Sequence, residues 1–260
     1  MPRSIWNGVV TFGMVSIPVG LTTAVQEKDI HFNQIHQKCG SRIKLQKYCP
    51  HCECVVPNDE LVKGYEYSKG SYVLMSDEDF EDVPVPTKHT IEVIAFVKAE
   101  EIDPIYYDST YYMEADDAGK KPFALLMKAI EKKGVQPLAK IALRSKESLC
   151  IIRMATGGGI LLETLYFPDE IRKAPDQGLE DIKVDEKELK MATSLVEMLE
   201  EKFDPSQYED EYRKALMERI EAKVAGREVQ HAPEVAPAKV VDLMEALKKS
   251  LEEAKKKKTG

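Results

Sequence analysis

The residues Ile5-Trp6-Asn7-Gly8-Val9-Val10-Thr11-Phe12-Gly13-Met14-Val15-Ser16-Ile17-Pro18-Val19 decide how this chain folds. They form short apolar pieces, each broken by a glycine or a proline. That pattern predicts strands joined by sharp turns or bulges. It recurs downstream. Leu61 to Tyr67 and Ser71 to Met75 flank Ser68-Lys69-Gly70, a hairpin signal. Thr90 to Val97, Ile105 to Tyr107 and Thr110 to Met113 are rich in β-branched and aromatic residues and read as strands. Ala139 to Leu143, Leu149 to Met154 and Ile160 to Phe167 continue the series, and Asp29 to His36 is a further extended stretch. Helices are few. Ser76 caps a short acidic one through Phe80, and Pro122 to Lys133 makes a longer one that Gly134 ends. Up to Pro168 the expectation is a β-rich domain, a barrel.

The character changes after Pro175. Asp185 opens a helix with Glu188 at capping-box spacing, and Leu189, Ala192, Leu195, Val196 and Leu199 are its apolar positions. Tyr208 to about Val224 is a second helix. Gly226 to Pro237 reads as a linker. Val240, Leu243, Met244, Leu247 and Leu251 then form the stripe of an amphipathic helix ahead of a basic tail, Lys255 to Lys258. Such a stripe fits a partner groove, or folds back onto its own domain. The division is thus 1–175, 176–225 and 226–260, in an α+β chain with a β-barrel core and helical arms.

The chain has 260 residues and a net charge of −8, which taken whole argues against a basic nucleic-acid binder. Locally the balance is different. Residues 61–120 carry 5 basic and 14 acidic side chains, and residues 121–175 carry 10 and 5. Residues 31–50 hold Lys38, Arg42, Lys44 and Lys47 and no carboxylate, a candidate polyanion surface whose plain alternative is a solvated loop. No apolar run approaches the roughly 18 residues of a membrane span, and no signal-peptide core opens the chain.

Four of the five cysteines fall within sixteen residues: Cys39, Cys49, Cys52 and Cys54. His36-x-x-Cys39 and Cys49-Pro50-His51-Cys52 are two corners with the same two-residue spacing. Tetrahedral zinc takes four N/S ligands from two such corners. Cys39, Cys49 and Cys52 are the shared part of the set; His36 completes it on the paired spacing, with Cys54 as the alternative fourth ligand. A disulfide or free structural thiols are the other readings, and the missing secretory signal argues against the disulfide. Cys150 lies in an alternating strand-like run and reads as core. There is no phosphate loop, no dinucleotide fingerprint and no nucleophile elbow, and no histidine has an evident nucleophile beside it. The residues do not propose an enzyme.

Several blocks carry a resemblance. They are Ile5-Trp6-x-Gly8-x-x-x-Phe12-Gly13-x-Val15-x-x-Pro18-Val19, Asp29-Ile30-x-Phe32, His36-x-Lys38-Cys39-Gly40-Ser41-Arg42-Ile43 and Lys47-Tyr48-Cys49-Pro50-x-Cys52. Lys63-Gly64-Tyr65-Glu66-Tyr67, Pro168-Asp169-Glu170-Ile171-Arg172, Glu188-Leu189-x-Met191-Ala192 and Val241-Asp242-Leu243-Met244-Glu245-Ala246-Leu247 follow in order. Together they resemble the bacterial Ku proteins of non-homologous end joining across nearly the whole chain. The resemblance implies a Ku-type barrel with helical arms, paired as a homodimeric ring that threads double-stranded DNA ends without reading bases. It also implies a C-terminal segment that engages an ATP-dependent DNA ligase, and a cytoplasmic, nucleoid-associated location. Residues 1–175 would then include the DNA-encircling segment. Phosphate contacts fall first to Lys38, Arg42, Lys44 and Lys47, and second to Arg144 and Lys146 at a hairpin tip. Val240, Leu243, Met244, Leu247 and Leu251 fall to the ligase. Against this stand a zinc-ribbon adaptor that binds protein and no DNA, and a metal-dependent hydrolase at the Cys/His site.

Overall fold

In the computed structural model the described residues are 4–81, 83, 87, 89–143, 146–226 and 243–258. The first strands, β1 (Trp6–Phe12) and β2 (Val15–Thr23), form a continuous antiparallel pair in which Phe12 faces Val15. Only Gly13 and Met14 lie between them. Gly13 has φ of 59° and Met14 does not have positive φ, the pattern of a tight hairpin turn that follows the twist of its strands. The interruption read from the sequence is here a turn, with no bulge.

The chain then runs through β3 (Tyr48–Cys49), β4 (Cys54–Val55), β5 (Lys63–Ser68), β6 (Ser71–Met75) and α1 (Asp77–Glu81). It continues with β7 (Thr90–Val97), β8 (Tyr107–Ala115), α2 (Lys120–Lys133), β9 (Gln136–Leu143), β10 (Lys146–Met154) and β11 (Ile160–Leu165). Seven strands close a barrel in the order β1-β2-β8-β11-β10-β9-β7. Strict up-and-down alternation cannot close around an odd number of strands, so one neighbouring pair must be parallel. That pair is β1 with β7, where Val9, Val10 and Thr11 face Thr90, Ile91 and Glu92.

Period-two patterning places the core. Ile17, Val19 and Leu21 of β2 point inward and meet Val10, Ile91, Met113, Ile141, Ile152 and Leu162. Phe123, Leu126, Met127 and Ile130 of α2 join the same cluster, so one helix face packs onto the barrel interior. Cys150 is fully buried, and burial pushes its thiol far above the ordinary range. On the other face of β10 and β11 an ion pair is partly buried: Arg153 grips Glu163 through Nε at 2.7 Å and Nη2 at 2.6 Å. Glu163 is itself almost inaccessible, so the two-pronged geometry is what makes its charge tolerable there.

Three expectations are corrected. Asp29 to His36 forms no strand, because no neighbouring strand pairs it; only an isolated bridge links Ile35 to Arg42. Ile105 begins no strand either. Asp103 accepts a hydrogen bond from the Ile105 amide at 2.9 Å and Pro104 follows it, so Pro104–Tyr106 is a 3-10 turn leading into the single strand β8. The basic tail is helical through Lys258, as its lysine, glutamate and alanine content favours.

The chain divides into two compact units, residues 1–173 and 174–260. The second contains α3 (Glu186–Leu199), α4 (Glu211–Val224) and α5 (Leu243–Lys258). Asp185 caps α3 by accepting hydrogen bonds from the amides of Lys187 and Glu188. Helix α5 packs against α3. Met244, Leu247 and Leu251 are half-buried, as are Met191, Ala192, Leu195 and Met198 of α3, while Leu243 stays exposed. Of the two fates open to the amphipathic stripe, folding back onto its own unit is the one seen. Val240 lies outside the described residues. No described helix is long and apolar enough to cross a membrane.

Candidate nucleic-acid interface

Between β2 and β7 the described residues 25–81 contribute no strand to the barrel, while Ala24, Thr87 and His89 still hydrogen-bond to it. Among the described residues from 24 to 86 not one is buried. A segment of this length with no interior cannot hold itself together by hydrophobic burial, so it needs a metal, a ligand or another chain.

Its local structure is two turns of similar build. In the first, the His36 amide donates to the Ser41 carbonyl at 2.8 Å and the Ile43 amide to Gln34 at 2.9 Å. This narrow loop sets His36 Nδ1 2.9 Å from Cys39 Sγ. Hydrogen bonds from Ser41 hold the Cys39 thiol below its ordinary pKa. In the second, β3 and β4 pair Tyr48 with Val55 and Cys49 with Cys54, and the Val56 amide donates to Lys47 at 2.8 Å. The amides of Cys52 and His51 donate to Cys49 and lower its pKa, while the neighbouring Cys49 raises that of Cys52.

Each turn therefore offers two ligand atoms, with donors aimed at a sulfur that a metal would need as thiolate. The donor chemistry fits zinc at each corner. The complete set does not assemble, however. Among the described residues no three His, Cys, Asp or Glu side chains converge in metal-binding geometry. The predicted group of His36, Cys39, Cys49 and Cys52 is thus found as two pairs, and Cys54 stands across the strand pair from Cys49. The physical reason is local. Two-residue spacing fixes the shape of each turn, whereas the distance between turns depends on residues 43–47, all of them exposed.

Lys38, Arg42, Lys44 and Lys47 are all exposed, and none forms an ion pair among the described residues. Four uncompensated cations on two adjoining turns give a surface suited to phosphate. Lys146, the second choice, differs: its Nζ lies 2.8 Å from Glu170, which raises its pKa and neutralises part of its charge. Glu170 also accepts from the Phe167 amide at 2.9 Å, so it is fixed in place. Arg144 lies outside the described residues. The hairpin of β5 and β6 extends the excursion with Tyr65, Tyr67, Tyr72 and Leu74 all exposed. Sequence reading missed that this hairpin stands apart from the barrel. The sequence held little signal of this, since Tyr65-Glu66-Tyr67 alternates as a half-buried strand does.

A groove of about 580 Å³ lies between α2 and the ends of β8, β10 and β11. Ala115, Phe123, Met127, Met154 and Ile160 make it mainly apolar, with Glu114, Glu131, Lys120 and Lys128 at its polar positions.

A family model described as the Ku70/Ku80 beta-barrel domain matches residues 11–191. The chain is similar to proteins named Non-homologous end joining protein Ku from three bacteria, among others. It is 44% identical to that of Symbiobacterium thermophilum, over 97% of this chain and 63% of that protein. It is 41% identical to that of Heliobacterium modesticaldum, over 97% of this chain and 92% of the relative. For Bacillus subtilis the identity is 37%, over 98% of this chain and 83% of the relative.

Proposed function

The chain belongs to the Ku family of non-homologous end joining proteins, and from that premise we propose that it binds double-stranded DNA ends as a homodimer. The observation that carries this reading is the excursion at residues 25–81, where the described residues expose four cations with no ion pair among them and none is buried. A ring closed by two copies gives such a segment something to fold against, and it doubles every basic surface. Phosphate contacts grip any sequence, as a break of unknown sequence demands. Recruitment of an ATP-dependent ligase falls to the second unit. There Leu243 is the exposed part of the α5 stripe, and Met244, Leu247 and Leu251 become available only when α5 leaves α3. The function places the protein in the bacterial cytoplasm with the nucleoid. A protein adaptor without DNA binding has no use for unpaired cations on both turns.

Competition tests the reading. Unlabelled linear duplex should displace a labelled fragment, while covalently closed circular duplex of the same sequence should not. Equal competition by circle and line overturns end binding.

Zinc is part of the same proposal. His36, Cys39, Cys49 and Cys52 would hold it, and a bound ion would make the basic surface rigid, lowering the ordering cost of binding. Thiol labelling checks it. In zinc-loaded protein Cys54 should react quickly and the other cysteines slowly; after chelation Cys39, Cys49 and Cys52 should join it. Cys150 should react only on unfolding, because it is buried and stays protonated. A protected Cys54 in the loaded protein makes it the fourth ligand in place of His36, and labelling that chelation does not change removes the metal altogether.

A further inference from the structure

Helix α2 turns its apolar residues into the barrel, and this fixes what its other face presents. At 100° per residue Lys121, Leu125, Lys128 and Lys132 fall within one narrow stripe. All four are exposed, Leu125 at 71%. Glu131, the one acid on the helix, stands about a quarter turn away. Lys120 is engaged by Asp117 at 2.6 Å. Lys121, Lys128 and Lys132 form no ion pair among the described residues.

Two features of the arrangement are unfavourable for the isolated helix, although Lys132 itself lies in the last turn, where the dipole favours a cation. Lys121 sits in a first turn that contains no acidic residue, against the positive pole of the helix dipole. Lys128 and Lys132 are like charges at i, i+4. A purely solvated face gains nothing from either placement, whereas a bound polyanion relieves both. From Lys121 to Lys132 the stripe rises about 16 Å. That exceeds the roughly 12 Å width of a major groove, so one helix face reaches phosphates on both rims. The face carries no arginine, asparagine, glutamine or aromatic side chain that reads base edges.

We propose that the outward face of α2, through Lys121, Lys128 and Lys132, is a second duplex-DNA backbone contact surface, additional to the turns at residues 36–54. The proposal rests on the duplex-binding reading above and extends it to residues on the barrel itself. Its partner is the phosphate backbone of double-stranded DNA, held without regard to sequence.

The test uses the full chain with Lys121→Gln, Lys128→Gln and Lys132→Gln combined, and a linear duplex of about 30 base pairs. Binding is followed by anisotropy from about 50 to about 200 mM salt. Each lost phosphate contact lowers the slope of log K against log salt by about 0.9, so the variant's slope should fall by about 2–3 per chain. Its affinity should drop roughly 10- to 100-fold at the middle of that range. Lys187→Gln with Lys190→Gln on α3 serves as the comparison and should leave the slope unchanged. An unchanged slope in the α2 variant overturns the α2 surface alone. An equal fall in the α3 variant reduces the effect to net charge and also overturns it. Wild-type protein that binds no duplex overturns both this surface and the reading it rests on.

Discussion

Reversing charge at the two turns, Lys38→Glu, Arg42→Glu, Lys44→Glu and Lys47→Glu together, should weaken binding to linear duplex by roughly two to four orders of magnitude at about 150 mM salt. Four phosphate contacts per chain are lost, and repulsion replaces attraction. The salt dependence should flatten by about 3–4 per chain, since fewer counterions are released. The barrel should not notice. None of the four side chains is buried and none belongs to the core cluster. The melting temperature and the secondary-structure signal should therefore match wild type, which separates lost contacts from lost folding. A variant that keeps wild-type affinity would remove these residues from the interface.

The second large effect concerns the barrel seam. A methyl group placed on Gly8 would fall on the carbonyl oxygen of His89 and the ring of Trp6, closer than any ordinary side-chain contact. Neither neighbour can retreat. The His89 carbonyl accepts the Val9 amide at 3.0 Å where β1 meets β7, and Trp6 packs against the core. Gly8→Ala should thus cost about 3 kcal/mol, the upper part of the range for overpacking. For a unit of this size that lowers the melting temperature by roughly 10 °C. Gly64→Ala, in the open β5–β6 hairpin where the nearest atom is Tyr72 Cδ1 at 3.5 Å, should change stability by less than about 0.5 kcal/mol. Calorimetry on both variants decides the matter. Equal melting temperatures would mean that the parallel seam yields, and that Gly8 is not there to admit it.

The same residue shows where sequence reading reached and where it stopped. Gly13 announced a turn between strands, and the alternation at Ile17, Val19 and Leu21 announced an inward face, whereas Gly8 and Pro18, read as breaks, lie inside the paired strands β1 and β2. Those are local signals, and the barrel follows from them. Its closure was not legible. Pairing β1 with β7 joins residues some eighty positions apart, and no local pattern encodes that register. The excursion at 25–81 was misread in part for the same reason, because extended residues such as Asp29 to His36 look like a strand until a partner is required. At the interface, the two corners His36-Cys39 and Cys49-Cys52 were legible as turns. The distance between them was not, since the residues that join them, 43–47, are all exposed. The charge on the basic residues could be counted beforehand, but their pairing could not. Only geometry separates Lys146, held by Glu170, from Lys38 and Arg42, which form no ion pair among the described residues. The net charge of −8 likewise says little about function, because acidic and basic residues are unevenly placed along the chain.

Threading makes the sharpest demand. Protein is bound to a linear duplex carrying biotin at both ends, streptavidin is then added, and the complex is challenged with excess unlabelled linear DNA. A ring that encircles DNA is trapped between the blocked ends and stays bound, and streptavidin added before the protein prevents binding altogether. Release from the blocked duplex at the rate seen with free ends, together with undiminished binding to duplex blocked beforehand, would mean that the protein grips DNA from one side and that no ring closes around it.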